Sequence, residues 1–189
     1  TPAHSLCVIR LCGQHAAPVP VAETYVAARL LAASGVGIPA GPITVARLSV
    51  DQQLPLTITN VPFARWCTHF VTVQEEQVTL WNLSENEIIE HVNIAGEPRD
   101  QVVLNGEPIE SARFVGASER LERIGAATRV MLMSGALRGI LMQSVAYAME
   151  RDQFGRPIAK FQAIQQQLAQ LAGEVAASQR AADELLLSD

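Results

Sequence analysis

Residues 147–169 hold the densest set of side chains able to grip a polar ligand. Arg151 is a permanently charged, fork-shaped donor beside a tight turn, and Gln153 and Gln162 add neutral amide donors. Phe154 offers a ring that can pack against a planar group. Such a set can hold an anion and stack on an aromatic partner. A structural use is equally open at this point: Arg151 pairs with Asp152 or a helix C-terminus, and Phe154 plugs a helix bundle.

Other chemistry is poorly represented. Cys7, Cys12 and Cys67 are odd in number and lack a C-x-x-C pair, which reads as buried free thiols in a reducing cytoplasm. His4, His15, His69 and His91 are scattered, so no metal site is expected. Gly35-Val36-Gly37 is a bare G-x-G with no strand before it, better read as a helix cap and turn than as a dinucleotide loop.

The elements that must carry these residues fall into three zones. In residues 1–40, Ser5 to Cys12 reads as a helix end closed by Gly13, an extended link through Pro18 and Pro20 follows, and Glu23 to Ser34 reads as a helix with Gly35 at C′. Residues 41–116 switch to period two: Ile43–Leu48, Leu56–Thr59, His69–Val73, Val78–Leu83 and Gln101–Leu104 read as short antiparallel strands, and Asn105-Gly106 as a hairpin turn. Residues 117–189 read as two long helices, one capped at Ser118 and running to Arg151, the other from Lys160 to Leu187 with Phe161, Ile164, Leu168, Leu171 and Val175 on one stripe. Gly125, Gly135 and Gly139 suit close helix packing. The expected class is α+β, predominantly α.

The chain has 189 residues, 49% of them hydrophobic and 17% charged, which excludes disorder. A net charge of −5 argues against a nucleic-acid partner. Eleven acids and three bases in residues 75–122 make that stretch the most acidic part, read as a solvated surface. No apolar run reaches the ~18–20 residues of a membrane span, and no secretory leader is visible, so the expected location is cytoplasmic.

The run Tyr147-Ala-Met-Glu-Arg151-Asp-Gln153-Phe154-Gly155-Arg-Pro-Ile158, continued by Gln162 and Leu168-Ala169, resembles the signature of the acyl-CoA dehydrogenase family at about nine positions of fixed spacing. Pro18-x-Pro20-x-Ala22-Glu23-Thr24 looks like the end of that family's N-terminal helical domain. Val61-Pro62-Phe63-Ala64-Arg65 and Ala95-Gly96-Glu97-Pro98-Arg99-Asp100 look like its middle β-domain, particularly that of bacterial members acting on bulky or steroid-derived acyl-CoA esters. The resemblance implies an end of the N-terminal helical domain in 1–40, a shortened middle β-domain in 41–116, and the first two helices of a C-terminal bundle in 117–189. It implies FAD as cofactor, an acyl-CoA substrate oxidised at Cα–Cβ, and an electron-transfer flavoprotein-type acceptor. It also implies a homo- or hetero-oligomer, dimer or tetramer, in which Arg151, Gln153, Phe154 and Gln162 reach a neighbouring subunit's FAD.

The sequence departs from the family pattern where the chemistry sits. The position of the α-proton-abstracting Glu that some members keep on the first bundle helix falls at about Gly125, with Glu122 one turn earlier as a displaced candidate or an ordinary first-turn acid. The middle domain's flavin-binding stretch is unrecognisable, and Asn60 runs into Val61 where a further strand is expected. The reading that follows is of a chain with segments missing, either catalytic or a non-catalytic partner subunit that completes a neighbour's flavin site.

Overall fold

The structure, a computed structural model, describes residues 2–48 and 55–187. In chain order the elements are helices α1 (Pro2–Gln14) and α2 (Val21–Ser34), then strands β1 (Ile43–Arg47), β2 (Leu56–Pro62), β3 (His69–Gln74), β4 (Gln77–Asn82), β5 (Glu87–Ile89), β6 (Arg99–Leu104) and β7 (Glu110–Arg113). The 34-residue helix α3 (Ala117–Glu150), two-residue strands β8 (Asp152–Gln153) and β9 (Arg156–Pro157), and helix α4 (Gln162–Leu187) complete the chain. The architecture is α+β. Two compact units result: Pro18–Ala126, and a second that joins the first seventeen residues to everything from Ala127 onward. These units cut across the three sequence zones, because α1 groups with the long helices and α2 with the strands.

In the Pro18–Ala126 unit, period two does the sorting. One sheet has the order β1-β3-β4-β7 and the other β2-β6-β5. Phe70 of β3 and Trp81 of β4 turn toward Ile58, Val61, Val102 and Leu104 of the second sheet. Val71, Val73, Val78 and Leu80 turn the other way, onto Val26, Ala27, Leu30 and Leu31 of α2. Both faces of β3 are therefore buried, and each fully buried aliphatic or aromatic side chain contributes roughly 1.5–3 kcal/mol. The one polar atom that Trp81 brings inside is satisfied, since its Nε1–H donates to Thr72 Oγ1 at 2.9 Å.

Several expectations change here. β1 pairs with β3 in parallel, so the strands are not all antiparallel. Asn105-Gly106 makes no hairpin: β6 and β7 lie in different sheets, and both backbone N–H groups donate to Asn86 Oδ1 instead. Strands β5 and β7 went unread because Glu87, Glu110 and Ser111 interrupt their apolar pattern. The Asn60–Val61 junction lies inside one continuous strand. Asn60 stands at φ 59° and the register with β6 shifts between Ile58 and Val61, the irregularity of a β-bulge. Leu54, the start of the surrounding segment, lies outside the described residues. Gly35 does close α2, at φ 78°, donating to Leu31 O. Ser118 does not cap α3, because its hydroxyl donates to Glu75 O.

The helical unit is organised by backbone approach. A Cβ on Gly135 would stand 1.9 Å from Arg10 O, one on Gly13 2.1 Å from Leu132 O, and one on Gly139 2.4 Å from Gln14 O. Gly13 is thus a contact point inside α1, not its cap, and α1 crosses α3 nearly backbone to backbone. Gly125 differs from the other two α3 glycines, having nothing within 4 Å of a Cβ. Arg10 also pairs with Asp183 of α4 at 2.5 Å. Helix α3 is long and apolar enough, by length and composition, to cross a membrane, contrary to the sequence reading, although 28% of its most apolar window is buried within the protein.

Candidate functional site

α3 ends at Glu150 and α4 begins at Gln162; the eleven residues between them form a raised tip. Gln153 pairs with Arg156 and Asp152 with Pro157, leaving Phe154 and Gly155 as a two-residue turn. Both have positive φ, 53° and 79°, as a type I′ turn requires. Glycine adopts this freely; Phe154 does so at a steric cost. At the base, Arg151 N–H donates to Tyr147 O, and Ile158 N–H donates to Arg151 O, both at 2.9 Å. The tip is thereby tied to the last turn of α3.

The four residues singled out from sequence all lie on this tip or its flank, and all are exposed. Phe154 is 91% exposed and plugs nothing. The Arg151 guanidinium has no ion pair among the described residues, so the structural alternative of pairing with Asp152 does not hold. Gln153 lies in β8, and Gln162 is the first residue of α4. No acid occupies the first turn of α4, which leaves the positive end of a 26-residue helix uncompensated by its own side chains.

Sequence reasoning overlooked the packing that carries the tip. Phe161 meets Phe154 edge-on, with centroids 6.1 Å apart and planes at 84°, and the Arg156 guanidinium sits 4.4 Å from the Phe161 ring centroid. The sequence pattern marks Phe161 only as the start of the α4 stripe. An apolar groove of about 300 Å³ adjoins, lined by Tyr147, Ala148, Ile158, Ile164, Leu168 and Leu171. Much of that stripe therefore borders open space.

The displaced acid candidate is engaged elsewhere. The Glu122 carboxylate pairs with Arg47 of β1, and at Gly125 there is no side chain to act.

A second polar cluster, also unread from sequence, lies wholly in the strand unit. Asp100 is fully buried and accepts from the Arg65 guanidinium at 2.5 and 3.0 Å, from Arg65 N–H at 2.9 Å and from His91 N–H at 3.2 Å. Arg65 also reaches Glu90 at 2.6 Å and His91 O at 2.7 Å. Burial by itself raises the Asp100 carboxyl, but the bonds from Arg65 and His91 outweigh it and hold it below the usual carboxylate range. Arg65 is raised in turn, chiefly by its bond to Asp100. Nearby Cys67 is pushed up to about 12, first by burial and then by the charges of Glu23 and Asp100, so it is a thiol at neutral pH and not a nucleophile.

Residues 118–187 match the family model "Acyl-CoA dehydrogenase, C-terminal domain". Across the whole chain, a solved steroid acyl-CoA dehydrogenase, the Tcur3481-Tcur3483 G363A variant, superposes with a TM-score of 0.82 at 23% identity, covering 98% of this chain and 61% of that one. The chain has the acyl-CoA dehydrogenase fold. Among curated relatives, acyl-CoA dehydrogenase FadE34 of Mycobacterium tuberculosis is 36% identical over 74 residues, covering 39% of this chain and 10% of the relative. Benzylmalonyl-CoA dehydrogenase of Aromatoleum aromaticum is 29% identical over 131 residues, covering 61% of this chain and 35% of the relative. The chain thus spans a tenth to about a third of the length of these acyl-CoA dehydrogenase relatives.

Proposed function

We propose that this chain is a subunit of an FAD-dependent acyl-CoA dehydrogenase, which oxidises the Cα–Cβ bond of an acyl-CoA thioester to the enoyl-CoA. The observation that carries the reading is the tip: a strained turn holds Phe154 91% exposed, beside an Arg151 guanidinium that has no ion pair among the described residues. Side chains held outward at a steric cost are side chains with a use outside their own unit. Their chemistry fits FAD. Arg151 suits the diphosphate as a bidentate donor, Gln153 and Gln162 can donate to neighbouring oxygens, and Phe154 can lie against the cofactor's flat or ribityl parts. Bound FAD supplies the two-electron acceptor for the thioester. An electron-transfer flavoprotein-type partner then takes the electrons.

Because these groups point away from their own chain, the flavin site is completed by another subunit, in a dimer or tetramer, homo- or heteromeric. The division of the chain into the end of an N-terminal helical domain, a shortened β-domain and half a bundle belongs to the same reading, as does a cytoplasmic location and a bulky or steroid-derived acyl group. A second reading is favoured by two observations. Gly125 carries no carboxylate and Glu122 is paired with Arg47, so neither supplies a free base for the α-proton. In that reading the subunit is non-catalytic and lends its tip to a sister chain. Flavin absorbance of the purified homo-oligomer, with enoyl-CoA formed in the presence of an electron acceptor, supports the catalytic form. Protein that acquires flavin only when co-expressed with a second dehydrogenase chain supports the partner form. Absence of flavin in both preparations overturns the proposal.

A further inference from the structure

The orientation of Phe154 is a puzzle of its own. The residue is almost wholly in solvent, in a backbone conformation that phenylalanine disfavours, on a ladder of only two residue pairs. A two-pair ladder is too short to be stable alone, and the bonds of Arg151 and Ile158 fix only its base. The contact that reaches the turn itself is Phe161, half-buried just before α4. Its ring meets Phe154, from the first half of the turn, at 6.1 Å and 84°, and takes the Arg156 guanidinium, from the second half, at 4.4 Å. One ring thus touches both sides of the turn. It is carried by a segment that is itself closed, since Phe161 N–H donates to Ile158 O and Phe161 O accepts from Gln165 N–H, each at 3.0 Å.

We infer that Phe161 is the positioning residue of the tip: by packing against Phe154 and Arg156 together, it sets the direction in which Phe154 is offered to the cofactor. The inference deepens the FAD reading and rests on it for the identity of the ligand. Phe161 need not touch the cofactor. Its effect passes through Phe154, so the two residues must be coupled, and a double-mutant cycle measures that coupling.

The experiment uses the flavin-loaded oligomer, with FAD affinity as one readout and hydrogen exchange of the tip amides, Ile158 N–H among them, as the other. Phe161→Leu keeps apolar bulk but loses the ring. The expected result is an FAD affinity lower by roughly tenfold, the size of one ring pair plus one cation–π contact. Tip amides exchange faster, Phe161→Tyr restores both readouts, and in a Phe154→Ala background Phe161→Leu costs no further affinity. An unchanged affinity for Phe161→Leu overturns the inference, and so does an equal loss with or without Phe154. If Phe154→Ala itself binds FAD like the wild type, the flavin reading of the tip fails; exchange then decides alone, and an unaltered rate in Phe161→Leu overturns the positioning role.

Discussion

Two arginines in this chain have opposite surroundings. Arg65 is 18% exposed in its side chain and is bound on every side: to a buried carboxylate, a second carboxylate and a backbone carbonyl. Arg151 stands exposed at a helix end with no ion pair among the described residues. The same guanidinium chemistry serves two purposes. Where all its donors are satisfied internally, the group fastens loops of the β-unit to one another. Where they are left over, beside a ring held into solvent, the group is available to an external anion. The difference lies in what the fold brings to each group: the acidic stretch of residues 75–122 supplies Glu90 and Asp100 to Arg65, whereas no carboxylate among the described residues pairs with Arg151.

The largest expected effect breaks the fastened side. Asp100→Ala leaves Arg65 without its buried partner and costs about 3–5 kcal/mol of unfolding free energy, read by denaturant titration, the range for severing a buried ion pair. FAD binding per folded molecule stays unchanged. The available side behaves inversely. Arg151→Gln leaves the denaturation midpoint where it was, yet lowers FAD affinity by roughly tenfold or more, since it removes a charge-assisted bond to the diphosphate. A loss of stability without a loss of flavin in this variant reverses the assignment of the two arginines. Gly135→Ala tests the frame that carries the tip: a methyl group 1.9 Å from Arg10 O must push α1 off α3, costing about 1–3 kcal/mol by thermal unfolding.

Acid sharpens the comparison further. The Asp100 carboxyl is depressed in the folded protein, so its contribution is fully present above the unfolded value near ~3.9 and is lost as pH falls through the lower folded value. Stability measured from pH 5 to pH 2 falls more steeply in the wild type than in Asp100→Asn. The smallest effect is expected at Glu122→Gln. Its partner is the exposed Arg47, and surface pairs contribute little, so neither stability nor turnover changes measurably. A large fall in turnover there makes Glu122 the displaced base after all.

Much of this was legible from the residues alone. Phe154-Gly155 between two helical stripes predicts a turn, and the positions of Arg151, Gln153 and Gln162 around it predict a polar end to the helix pair. Strands β1, β3 and β4 announced themselves through period two. The failures share a cause, which is that pairing is non-local. Asn105-Gly106 has hairpin chemistry, but its flanking strands were claimed by different sheets, and the hydrogen-bonding needs of that turn were met by Asn86. Gly13 resembles a cap until Gly135 and Gly139 bring α3 against it. Arg65 and Asp100 lie 35 residues apart, and nothing in the sequence says that they meet.

The sequence by itself determined the period of each element, the turn that joins the long helices, and the residue types placed around it. These follow from local backbone preference and from which faces must leave water. Tertiary structure alone decided which of those side chains were consumed and which were left over. Arg65 is spent because the fold delivers Asp100, Glu90 and a carbonyl to it. Glu122 is spent on Arg47. Arg151 and Phe154 remain available because the ladder beneath them is short, the turn forces positive φ, and Phe161 holds the ring outward. Satisfaction of a polar group depends on what chain distant in sequence comes near it, and only folding settles that.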